Sequence, residues 1–159
     1  MATAMAQLDS IFASYPSQGF QDIWFSGLEP AEVAHLFDFA CRTYGQAARC
    51  AVWERTVDGP QACAGDLQLQ DIDHEFTPLR VGGEVLDGVI IRIEDDRLAV
   101  DFDSGLEYWN ARRQAAFVEW LRELHRQVPH ARLEWAHEGC RSAPSEPESA
   151  LLRLAVGGR

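Results

Sequence analysis

Residues 84–102 read EVLDGVIIRIEDDRLAVDF, and this stretch decides the fold. Val85 to Ile93 is dense in β-branched side chains, which crowd a helix but suit a pleated strand. Leu98, Val100 and Phe102 alternate with Ala99 and Asp101, the period-two pattern of a strand with one buried face. Glu94-Asp95-Asp96-Arg97 between them is a polar turn. Two strands so joined predict a β-hairpin.

Toward the C-terminus, Ser104-Gly105-Leu106-Glu107 has the S-x-x-E form of a capping box, in which hydroxyl and carboxylate satisfy two amides at a helix start. Leu106, Trp109, Phe117, Leu121, Leu124 and Val128 then mark one face of a helix over about 106–127. Pro129 ends it, and Arg132 to Ala136 reads as a returning strand. Residues 139–149 contain Pro144 and Pro147 without periodicity and read as a flexible loop. Leu151 to Val156 is expected to close the sheet as a last, edge strand.

Toward the N-terminus, Met5, Leu8, Phe12 and Tyr15 recur at helical spacing, predicting a helix over 3–14 that Pro16 stops. Phe20 to Phe25 reads as a strand. Ser26-Gly27-Leu28-Glu29 opens a second helix, with Pro30 in the first turn, where its missing N–H costs nothing. Val33, Phe37, Ala40 and Tyr44 are its apolar stripe, and Gly45 suits the residue after its end. Cys50, Val52, Trp53 and Val57 read as one strand, ended by Asp58-Gly59-Pro60. Across 61–83 the signal is mixed: Leu67, Leu69 and Ile72 alternate weakly, whereas Thr77-Pro78 and Gly82-Gly83 are loop signals. Runs of strands between separated helices predict a single α+β domain over 1–159, with helices packed on a mostly antiparallel sheet.

The chain has 159 residues, enough for one domain with a core of its own. Its 25 acids against 14 bases give a formal net charge of −11. Such a surface repels nucleic-acid phosphates and anionic membranes, and suits either solubility or a cationic protein partner. Residues 1–14 lack a basic stretch followed by a long apolar run, so a cytoplasmic location is expected. Cys41, Cys50, Cys63 and Cys140 then read as reduced thiols.

Catalytic patterns are scarce. Asp71, Asp73 and Glu75 fall on one side of an extended chain, and so do Asp101 and Asp103. The latter pair could hold a divalent cation, but no phosphate-cradling glycine loop accompanies it. The competing reading is strand-end polarity beside a helix start. His137-x-x-Cys140 is at most half of a zinc site and reads as a strand-end histidine and a loop thiol. His35 reads as a semi-buried residue at the border of the apolar stripe, and His125 and His130 bracket a helix end. No metal or cofactor is expected, and no catalytic residue is assigned.

Charge patterning remains. Residues 94–103 hold five acids, Glu94, Asp95, Asp96, Asp101 and Asp103, against Arg97 alone. Residues 112–132 reverse this, with five Arg and two Glu. Acidic turns on a rigid sheet can steer a cationic partner, and a neighbouring aromatic can anchor it. Tyr108 is such a candidate anchor; Trp109 reads as core.

The run Asp101-Phe102-Asp103-Ser104-Gly105-Leu106-Glu107-Tyr108-Trp109-Asn110, with Phe117-Val118-Glu119-Trp120-Leu121 and Pro129, resembles immunity proteins of bacterial polymorphic-toxin and contact-dependent secretion systems. The resemblance covers roughly 85–136. It implies a protein that binds and neutralises a cognate toxin or effector with a basic surface, through Glu94, Asp95, Asp96, Asp101, Asp103 and Tyr108. The alternatives are a secretion chaperone or adaptor, and a metal-dependent enzyme using Asp101 and Asp103.

Overall fold

In the computed structural model the chain runs through β1 (Phe20–Ser26), α1 (Pro30–Tyr44), β2 (Ala47–Val52), β3 (Arg55–Asp58), β4 (Ile72–Phe76) and β5 (Leu79–Val81). It continues through β6 (Glu84–Leu86), β7 (Val89–Ile93), β8 (Arg97–Asp103), α2 (Ala111–Gln127), β9 (Arg132–His137) and α3 (Glu146–Gly157). The structure describes residues 6, 20–44, 47–52, 55–58, 72–76, 79–86, 88–93, 96–103, 109–137 and 144–157, the backbone alone at 20, 41, 47–52, 55–58, 72–76, 103 and 137. The helix expected over 3–14 lies outside these residues except for Ala6, which is helical.

Seven strands form one antiparallel sheet in the order β3-β2-β4-β7-β8-β1-β9, and β5 with β6 forms a separate two-stranded ribbon. The domain is α+β, as the sequence predicts. The hairpin at its heart is β7 with β8, where Ile91 stands opposite Val100 and Ile93 opposite Leu98. On β1, Ile23 and Phe25 alternate inward beside them, opposite Val100 and Leu98. These residues meet Leu36 and Phe37 of α1, Phe117, Trp120, Leu121 and Leu124 of α2, and Leu152 of α3 in one buried core. Phe102 is its aromatic hub, with ring centroids 4.8 Å from Phe117, 5.5 Å from Trp135 and 5.8 Å from Trp109. Each such side chain contributes about 1.5–3 kcal/mol by leaving water. On the other face of the sheet Trp24, Ala99 and Ala136 form a small separate cluster, to which no described helix contributes.

The structure corrects the sequence reading in several places. The single strand expected over 50–57 is two, β2 and β3, paired so that Cys50 faces Val57 and Val52 faces Arg55. A continuous strand would put positions 50 and 57 on opposite sides, whereas the antiparallel pairing of β2 with β3 sets them side by side. The run Val85–Ile93 is also broken. Gly88 takes a left-handed φ of +70°, so Val85 and Leu86 fold back on Arg80 and Leu79 instead of extending β7. The turn of that ribbon is Gly82-Gly83, with φ of +57° and +86°, the conformation a tight hairpin with a right-handed twist demands.

The long helix starts five residues later than its apolar stripe predicts. Asn110 is its cap: the side-chain oxygen accepts the Arg113 amide at 3.0 Å, and Ser104 to Tyr108 lie outside the described residues. Trp109 therefore precedes the helix, yet it is buried, as expected.

The largest correction is at the C-terminus. Leu151–Val156 is helix, not edge strand, and the loop read over 139–149 gives way to α3 from Glu146. Leu152, Ala155 and Val156 are buried together, positions that share a helix face and could not share a strand face. Ser145-Glu146-Pro147-Glu148 is an S-x-x-E box with Pro in the first turn, and Ser145 Oγ donates to the Glu148 carboxylate. No described helix is long and apolar enough to cross a membrane.

A candidate docking surface at one end of the sheet

Three connections meet where β1 ends. Ser26 stands opposite Arg97, the first residue of β8, and opposite Arg132, the first residue of β9. The β1–α1 link, the β7–β8 turn and the α2–β9 turn are thereby side by side. Gly27, with φ of +74°, turns the chain out of β1 so that Leu28 can bury itself in the core. The Leu28 amide donates to the Asp96 carbonyl at 3.1 Å, which seats the acidic turn against the start of α1.

That start is acidic too. The Glu29 carbonyl accepts the Glu32 and Val33 amides at 2.9 and 3.0 Å, and one carboxylate oxygen of Glu32 accepts the Glu29 amide at 2.8 Å. This is half of a capping box, with a carboxylate where the helix dipole favours one. The other Glu32 oxygen lies 2.9 Å from His130 Nε2, in the α2–β9 turn. The hydrogen bond from the Glu29 amide and the neighbouring His130 hold the Glu32 carboxyl below its ordinary range, against a smaller opposing effect of desolvation. The turn itself is closed by the Ala131 amide on the Val128 carbonyl at 2.9 Å, and His125 Nε2 lies 3.2 Å from the Ala131 carbonyl. Glu29 and Asp96 are exposed. The corner thus carries the exposed Glu29 and Asp96, with Glu32 held between the Glu29 amide and His130.

Asp96, Asp101 and Asp103, the described acids of residues 94–103, are spread along one strand. Asp96 precedes β8 at the end just described, whereas Asp103 closes β8 opposite Phe20 at the far end. A seven-residue strand separates them by about 20 Å. Asp101 lies between, on the face away from the core. It stands directly opposite Asp22, and Arg92 of the neighbouring strand reaches both, at 3.1 Å to Asp101 and 3.3 Å to Asp22. Two facing carboxylates repel, and the shared guanidinium offsets that repulsion. Asp101 is thus one arm of an Asp–Arg–Asp bridge, not a solvent acid. Beside it, Arg97 stacks on the Trp24 ring, 3.8 Å from the centroid. Glu94, Asp95 and Tyr108 lie outside the described residues.

Two of the four α2 arginines, Arg122 and Arg126, have work within the fold. Arg126 pairs with Glu123, and Arg122 pairs with Glu119 and donates to the Ala155 carbonyl at 2.7 Å, satisfying the end of α3. His35, read as semi-buried, is exposed. Cys41 lies in α1, Cys50 in β2, and Cys63 and Cys140 lie outside the described residues. Among the described residues no three His, Cys, Asp or Glu side chains gather closely enough to hold a metal ion.

Sequence reasoning placed Glu29 at a helix start and His130 at a helix end without giving either a site role, and it missed Glu32. The E-P-x-E run at 29–32 carried a usable signal, an acid three residues beyond a helix cap. No local signal pointed to the pairing of His130 with Glu32, because the two are 98 positions apart in sequence. No protein-family profile, no curated protein and no solved structure matches this chain.

Proposed function

We propose that the chain is an immunity-type protein that binds and neutralises a cognate bacterial toxin or effector in the cytoplasm, presenting an acidic corner to a basic surface. The single observation that carries the reading is the 3.1 Å bond from the Leu28 amide to the Asp96 carbonyl, which joins the acidic β7–β8 turn to Glu29 and Glu32. Acids fixed on two adjoining connections of one sheet, Glu29 and Glu32 at the β1–α1 link and Asp96 before β8, form a preorganised surface for a cation. The net charge of −11 adds long-range attraction to the same class of partner. Neutralisation then follows from occlusion: a stoichiometric partner that covers a toxin's basic, substrate-binding surface needs no chemistry of its own.

The test begins with co-purification of the tagged full chain from its native host. The captured protein is then assayed for toxicity with and without the chain. Inhibition at one-to-one stoichiometry, with slower onset when Glu29 and Asp96 are neutralised together, supports the reading. Capture of a partner whose activity is unchanged in the complex overturns neutralisation and leaves a holding role.

A further inference from the structure

We draw no further inference here: the strongest candidate, the second face of the sheet around Trp24, Arg92 and Arg97, carries nothing because no described residue shows what covers it.

Discussion

The backbone amide of Trp135 donates to Ser149 Oγ at 2.8 Å, so a helix side chain takes the place of a neighbouring strand. The same region closes further: the Ser145 amide donates to the Trp135 carbonyl at 2.7 Å, and Arg153 donates to the Leu133 carbonyl at 3.1 Å. An edge strand with open amides and carbonyls is a template for unwanted pairing. Here α3 and Ser145 just before it occupy that edge of β9 with three hydrogen bonds, and the helix buries Leu152, Ala155 and Val156. Replacing Ser149 with Ala removes the acceptor and strands a buried amide. The expected loss is about 1–3 kcal/mol. Urea unfolding should show a lower midpoint with an unchanged slope. A midpoint equal to wild type would mean that water or a shifted backbone replaces the hydroxyl.

The start of α2 gives a second test. Asn110→Ala should cost about 1 kcal/mol, whereas Asn110→Asp should cost little, since Asp accepts the same amide and complements the dipole. Ser104→Ala should leave stability nearly unchanged. The reverse ranking in thermal or urea unfolding would return the cap to the Ser104 box.

The Asp22–Arg92–Asp101 bridge predicts non-additive mutants. Its carboxylates are little exposed, 13% and 14% for their side chains, and Arg92 is 33% exposed. Arg92→Met leaves two facing carboxylates with their shared cation gone. The expected cost is roughly 2 kcal/mol, between exposed and fully buried pairs. Adding Asp101→Asn to Arg92→Met should recover much of that loss, because one of the repelling charges disappears. A double-mutant cycle measures this coupling, and simple additivity would show that the three groups act independently.

Glu32 predicts a pH dependence of known sign. Its folded-state pKa lies below its ordinary value of 4.5. A lowered carboxylate pKa means that folding prefers the ionised form. The contribution is therefore fully present above pH 4.5 and is lost as pH falls through the lower folded value. Glu32→Gln should be less stable than wild type near neutrality, and the gap should shrink on acidification. Parallel stability curves from pH 6 to pH 3 would remove the carboxylate from the acid transition.

The hairpin β7–β8 was legible because Val89–Ile93 and Leu98–Phe102 carry their burial pattern in consecutive residues. So was α1, where Val33, Phe37 and Ala40 repeat at one face and Pro30 marks the start. Leu151–Val156 misled because Leu151 and Leu152 are adjacent, which fits a buried strand as readily as a helix; only the Ser145–Glu148 box arbitrates, and it sits inside a stretch whose prolines read as loop. The acidic cluster misled for another reason. Counting acids along residues 94–103 ignores that an extended strand carries Asp96 and Asp103 to opposite ends of the sheet. Glu32 and His130, or Asp22 and Asp101, become neighbours only through topology, and no window of sequence contains both.

Those neighbours set the last prediction, which rests on the proposed docking role. If Glu29 and Asp96 draw in a cationic partner, they act mainly before contact, through the long-range field. Neutralising both, as Glu29→Gln with Asp96→Asn, should slow association and leave dissociation nearly unchanged. Stability should barely move, since exposed acids of this kind contribute about 0–1 kcal/mol. Raising ionic strength should mimic the double substitution, because screening shortens the reach of the same charges to about 8 Å at 0.15 M. Surface plasmon resonance against the captured partner at two salt concentrations separates the cases. Slower association in the variant, with a weaker salt dependence than wild type, places the encounter at this corner. Equal association rates and equal salt slopes would assign the steering charge to another part of the surface. The variant that then discriminates is Arg112→Gln on the opposite-signed helix, which should speed capture if that helix repels the partner and leave it unchanged if the helix faces away.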